Sequence, residues 1–166
     1  MHSFLITGLA RSRTKWLSDY FTQSGAPCLH EAFAYSSDEV VRTLINSGVG
    51  ISDTGLWLSL IDPDYSKDMS RWLIDSDIPF VFIERPLDEI RTSLEAINME
   101  SPFKNMPDIR FPKKTLIVPF HEINQRIEEI HRHCTDVPFN QDFADMFCDV
   151  VVKQDQCYVP EGMINN

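Results

Sequence analysis

The chain has 166 residues, of which 43% are hydrophobic and 11% aromatic, enough for one domain around a sizeable core and too apolar for general disorder. Asp and Glu outnumber Lys and Arg 25 to 15, a formal net charge of −10, which argues against nucleic acid or an anionic membrane as the main partner. The opening apolar stretch of about five residues is shorter than the core of an export signal. No apolar run approaches the roughly 18 residues of a membrane span, so the expectation is a cytoplasmic protein.

Phe4 to Thr7 reads as a short buried strand, Gly8 opens a turn, and a helix begins near Thr14. Trp16, Leu17, Tyr20 and Phe21 form its apolar stripe, which ends near Ser24-Gly25. A strand that passes through a glycine turn into a helix N-terminus is the usual construction of an anion cradle. The first helical N–H groups lack intrahelical partners, and the helix dipole is positive there. Arg11, Ser12, Arg13, Thr14 and Lys15 add cationic and hydroxyl donors to this turn. The segment does not match the ATP-binding pattern G-x-x-x-x-G-K-[ST]. If Gly8 opens that pattern, Arg13, Thr14 and Lys15 occupy the places of its second glycine, lysine and hydroxyl residue.

Pro27 to His30 is expected as a second strand, followed by His30-Glu31 at the same sheet edge. Ser36-x-x-Glu39 reads as a capping box opening a helix with Val40, Val41, Leu44 and Ile45 inside. Val49 to Asp53 is a third strand. Asp53, before Thr54-Gly55, suits either a magnesium-holding acid or a turn-former. Asp62-Pro63 opens a helix carrying Tyr65, Met69, Trp72 and Leu73, and Phe33, Trp57 and Trp72 read as core or pocket wall.

Residues 79–84 form an apolar strand ending before Arg85, and Pro86 opens a helix to residue 98 with Leu87, Ile90, Leu94 and Ile97 on one face. Ser93 follows Arg85 by eight positions, about two helical turns. The segment 99–114, with Pro102, Pro107 and Pro112, is expected to be irregular; it carries Lys104, Arg110, Lys113 and Lys114. Thr115 to Val118 is a fifth strand, and 120–134 a helix aligning Ile123, Ile127, Ile130 and Cys134. A helix near 140–148 and a strand at 149–153 close the chain. This alternation predicts an α/β domain with a mostly parallel sheet between two helical layers and ligands at the carboxyl ends of its strands. Cys28, Cys134, Cys148 and Cys157 show no C-x-x-C spacing, and His131, His133 and Cys134 lack a fourth ligand and would splay on a helix. Reduced thiols are expected.

The run Gly8 to Leu17 resembles the phosphosulfate-binding loop of the sulfotransferases, G-x-P-[RK]-S-G-T-[TS]-x-L. Arg11, Ser12, Thr14 and Leu17 match, whereas Ala10, Arg13 and Lys15 depart from the family's proline, glycine and hydroxyl residue. The strand ending in Arg85, with Ser93 eight residues on, resembles the family's second motif. Resemblance covers residues 3–31, 79–98 and, loosely, 115–134. The family's C-terminal Arg-Lys-Gly segment has no match beyond Lys153-Gln154.

The resemblance implies a P-loop-type fold and transfer of a sulfuryl group from 3′-phosphoadenosine-5′-phosphosulfate (PAPS) to a hydroxyl or amine of a small acceptor, with no metal required. Gly8, Arg11, Ser12, Arg13, Thr14 and Lys15 would form the donor loop, and Arg85 and Ser93 would hold the 3′-phosphate. Arg11 would stabilise the leaving oxygen, and His30 or Glu31 would serve as general base. Two other readings fit the same residues. One is a P-loop nucleotide or nucleoside kinase using Asp53 with Mg²⁺ and the 104–114 segment as a lid. The other is a non-catalytic descendant acting as a binding module.

Overall fold

The apolar run after Ser3 forms β1 (Leu5–Gly8), buried along its whole length as a strand covered on both faces must be. The structure, a computed structural model, describes residues 2–56, 72–73, 75–101, 104–105 and 108–150. Four more strands join β1: β2 (Cys28–His30), β3 (Gly50–Ser52), β4 (Phe80–Glu84) and β5 (Thr115–Pro119). They build one five-stranded sheet in the order β2-β3-β1-β4-β5, with every neighbouring pair parallel.

Helices α1 (Thr14–Gln23), α2 (Ala32–Tyr35), α3 (Asp38–Asn46), α4 (Leu87–Glu95), α5 (Ile127–Cys134) and α6 (Gln141–Cys148) are described around it. Strand alternation sorts the core into two faces. Phe4, Ile6, Val81, Ile83 and Val118 pack against Trp16, Leu17, Tyr20 and Phe21 of α1 and against Ile127, Ile130, Ala144 and Phe147. Leu5, Ile51, Phe80 and Phe82 pack on the other face against Val41 and Ile45 of α3. The chain is therefore a three-layer α/β protein. A third patch, Leu9, Ile90 and Leu94, docks α4 against the loop that leaves β1.

The register aligns the strand ends. Gly8 of β1 lies opposite Ile83 of β4, and Ser52 of β3 lies opposite both Ile6 and His30. The residues just past these ends, from Leu9, Glu31, Asp53 and Arg85 onward, share one edge of the sheet. Gly8 is required there. A Cβ on it would stand 2.7 Å from the carbonyl oxygen of Ile83 and 2.7 Å from Ser12 Cβ, so no side chain fits where the loop turns away.

Several elements differ from the sequence expectation. Residues 32–35 form a short helix, α2, and its end places Ser36 in an extended conformation. The cap of α3 is consequently Ser37, whose Oγ accepts the Val40 N–H at 3.4 Å, rather than Ser36. The segment 120–134 is not one helix: a 3₁₀ turn (Phe120–Glu122) and further turns precede α5. Ile123 still reaches the same core as Ile127 and Ile130, which is why its spacing read as helical. The helix starting at Pro86 stops at Glu95, before Asn98 adopts a positive φ of 58°. Asp149 caps α6, and neither it nor Val150 lies in a strand; residues 151–153 of the expected strand, like Trp57 and most of the 62–73 helix, lie outside the described residues. Phe33 and Trp72 are partly buried against the α3 face of the core. Among the described residues, no helix is long and apolar enough to cross a membrane.

Candidate functional site

The loop between β1 and α1 folds through two left-handed residues, Arg11 (φ 69°) and Arg13 (φ 60°). Ser12, buried between them, donates its hydroxyl to the Leu9 carbonyl and so closes the turn from inside. Thr14 opens α1 and is also buried. The three loop cations then diverge. The Arg13 guanidinium lies 4.0 Å over the Trp16 ring and donates to Asn124 Oδ1 at 2.8 Å. Lys15 Nζ donates to both carboxylate oxygens of Asp19, one turn along α1, at 3.0 Å. Only Arg11, of these three, turns toward the end of β4.

There Arg11 Nε donates to Ser93 Oγ at 3.1 Å, and Arg85 Nη1 donates to the Arg11 carbonyl oxygen at 2.6 Å. Arg11, Arg85 and Ser93 are thus brought together, with Arg11 as the link. Arg85 also lies 4.1 Å over the Phe120 ring. Its ion-pair partner is Glu89, with Nε 3.4 Å from Oε2, rather than Glu84 or Asp88. The other carboxylate oxygen of Glu89 stands 2.7 Å from Nε2 of His121.

A second cluster forms on the β2–β3 side of the loop. Thr14 Oγ1 lies 3.3 Å from His30 Nε2 and 3.1 Å from Thr54 Oγ1. Glu31 Oε1 accepts the Thr54 N–H at 3.1 Å and the Thr54 hydroxyl, and stands 3.3 Å from His30 Nε2. Burial pushes the His30 imidazole below its ordinary pKa, with Glu31 pulling the other way. Burial thus favours the neutral ring, which can accept a proton, while the carboxylate beside it would steady the resulting cation. Glu31 itself holds a left-handed backbone (φ 56°), a strained conformation for a side chain of this size.

Asp53 lies behind this cluster and is fully buried. Its Oδ2 accepts the Phe33 N–H and its Oδ1 the Gly55 N–H, both at 2.7 Å. Burial first, and Glu31 second, raise its pKa to about 6, against the pull of these backbone donors. Asp53 therefore fastens the turns after β2 and β3 to each other, and Thr7 Oγ1, donating to the Asp53 carbonyl at 2.6 Å, ties that junction to β1.

No protein-family model matches this sequence, and comparison with curated proteins returns no match. The site is accordingly read from its own geometry. Among the described residues, no three His, Cys, Asp or Glu side chains converge as a metal site would need. His131 and His133, close in sequence, go to separate partners: His131 to the Tyr20 hydroxyl and the Val137 carbonyl, His133 to the carbonyls of Phe80 and Lys114.

Sequence reading missed four contributors: Thr54, Glu89, Phe120 and His121. A signal for each of them existed. Thr54 follows β3, while Phe120 and His121 follow β5, where the carboxyl-end rule for parallel sheets directs attention. Glu89 stands four residues after Arg85 on a helix, the spacing of an ion pair.

Proposed function

We propose that the protein is a sulfotransferase-like enzyme that moves a sulfuryl group from PAPS to a hydroxyl or amine of a small acceptor. The observation that carries this reading is the junction of Arg11, Arg85 and Ser93. The Arg11–Ser93 hydrogen bond spans 82 positions in sequence. Two guanidinium groups and a hydroxyl at the carboxyl edge of a parallel sheet suit a phosphate-bearing ligand.

In this reading the N–H groups opening α1, with the Thr14 hydroxyl, hold the 5′-phosphate and sulfate oxygens of the donor, while the Ser12 hydroxyl, committed to the Leu9 carbonyl, keeps the turn in shape. Arg85 and Ser93 hold the 3′-phosphate. The acceptor oxygen or nitrogen attacks sulfur, the bond from sulfur to the bridging oxygen breaks, and adenosine 3′,5′-bisphosphate leaves with the electron pair. Arg11 stabilises the charge that gathers on that oxygen. His30 takes the acceptor's proton, and Glu31 holds the imidazole and stabilises its cation. Arg13 and Lys15, engaged with Trp16, Asn124 and Asp19, stand aside from the donor.

The commitments of Asp53 favour sulfuryl transfer over the kinase reading. A magnesium-holding acid needs carboxylate oxygens facing the nucleotide, whereas both oxygens of Asp53 accept backbone N–H groups inside the protein. Calorimetric titration with adenosine 3′,5′-bisphosphate, and with ATP plus magnesium, tests the assignment. Micromolar binding of the bisphosphate, lost in Arg85→Ala, is the expected result. Binding of ATP with magnesium alone would instead favour the kinase, and silence with both would leave a binding module.

A further inference from the structure

We infer that Glu89 is a resident counter-ion at the Arg85 end of the site, displaced when a nucleoside phosphate enters, and that His121 then becomes a further contact to that phosphate. The inference rests on the nucleotide reading above and extends it to two residues on α4 and on the turn after β5.

Glu89 holds its carboxylate between two groups able to bind an anion. Oε2 stands 3.4 Å from Arg85 Nε and Oε1 stands 2.7 Å from His121 Nε2. A small anion captured between Arg85 and His121 would take up much the same position, so the carboxylate stands where a phosphate oxygen would stand.

Glu89 is not what fixes Arg85. The bond from Nη1 to the Arg11 carbonyl is short at 2.6 Å, and the guanidinium lies against the Phe120 ring. The bond to Glu89, in contrast, is longer than an ordinary N–H···O contact. Arg85 would therefore keep its place when Glu89 leaves.

Exposure rises outward along the chain of charges. The side chains of Arg85, Glu89 and His121 are 15%, 31% and 66% exposed. Glu89 lies in the first turn of α4 with water on one side, so rotation outward leaves no buried charge behind, and partly exposed ion pairs of this kind are weak. A phosphate monoester brings nearly two negative charges and three acceptor oxygens to the same donors and outcompetes a single carboxylate. Once Glu89 has moved, the His121 imidazole loses its partner and faces the incoming phosphate across the position that the carboxylate held.

The test titrates the full chain, as wild type, Glu89→Gln, His121→Ala and the double variant, with adenosine 3′,5′-bisphosphate and separately with pyrophosphate. Removing the competing charge should tighten both ligands in Glu89→Gln by about tenfold. His121→Ala should cancel a several-fold part of that gain in the double variant. Unchanged or weaker binding in Glu89→Gln would overturn the inference, because a carboxylate that positions Arg85 predicts a loss. The two readings fail separately. If the wild type binds the bisphosphate through Arg85 but Glu89→Gln does not tighten it, the nucleotide reading stands and the exchange falls. If only pyrophosphate binds, and binds more tightly to Glu89→Gln, the exchange stands and the nucleotide reading falls. Silence of every protein with both ligands would overturn both.

Discussion

Asp53 illustrates how one residue carries a structural load that its sequence position disguises. As an acid at a strand end before Thr-Gly it fitted either a metal ligand or a turn-former, and the two backbone N–H bonds that its carboxylate accepts are those of a turn-former. This arrangement has a measurable consequence, because burial raises its pKa from 3.8 to about 6. Between these two values the folded chain binds more protons at Asp53 than the unfolded chain does. Its contribution to stability is therefore greatest at low pH and falls as pH rises through the window from about 4 to about 6. Asp53→Asn removes the titration, though at the cost of one acceptor for two N–H groups. Urea unfolding at pH 4 and pH 7 should show the wild type's advantage over Asp53→Asn shrinking by about 2–3 kcal/mol across the interval. An advantage that grows with pH would contradict the assignment. Arg13 shows the opposite lesson in legibility. Its departure from a glycine pattern was plain in the sequence, and the backbone does take the left-handed conformation that glycine suits. What no local pattern gave was the compensation, the stacking on Trp16 and the bond to Asn124, 111 positions away.

At the scale of elements, the strands were legible because their β-branched and aromatic runs are short, apolar and bounded by turn residues. α2 was not, since four residues of helix carry too little periodicity to register. The cap of α3 was missed for a similar reason: Ser36 and Ser37 are chemically alike, and only the backbone path out of α2 selects between them. α4 was read correctly as amphipathic, yet the sequence could not say that its apolar face grips the loop leaving β1 rather than only the core. Leu94 and Ile90 touch Leu9, so this helix both buries apolar surface and sets where Ser93 stands against Arg11. Leu94→Ala should cost about 2–4 kcal/mol of stability by leaving a cavity. It should also weaken bisphosphate binding, because Ser93 precedes Leu94 on the same turn. Ile45→Ala, on the far face of the sheet, should cost a similar amount without changing affinity. Calorimetry at a temperature where both variants are folded separates the two effects. Equal affinities in both would show that α4 docking does not position the site.

The site of the whole molecule follows from sheet order. β1 lies between β3 and β4, so the loop leaving it faces two partners at once: the His30, Glu31 and Thr54 cluster on one side and the Arg85, Ser93 and Glu89 cluster on the other. Each motif was visible locally, at 8–17 and at 80–94, but the order β2-β3-β1-β4-β5 is a property of long-range pairing that no window of sequence carries. This placement gives the two clusters different thermodynamic signatures. A donor held by the loop, Arg85 and Ser93 would bridge β1, β4, α1 and α4, so its binding should stabilise the sheet as a unit. At one hundred times its dissociation constant the bisphosphate should add about 2.7 kcal/mol, or roughly 5–10 °C in thermal midpoint for a domain of this size. Arg85→Ala should abolish that shift. His30→Ala should retain it, because the proposed function puts the imidazole on the acceptor side and the bisphosphate product carries no acceptor. The converse holds for turnover with PAPS and an acceptor, which His30→Ala should slow by about 10²–10⁴-fold with the donor still bound. A loss of the thermal shift in His30→Ala would mean that the β2–β3 cluster holds the nucleotide itself, and the division of the site into donor and acceptor halves would have to be reversed.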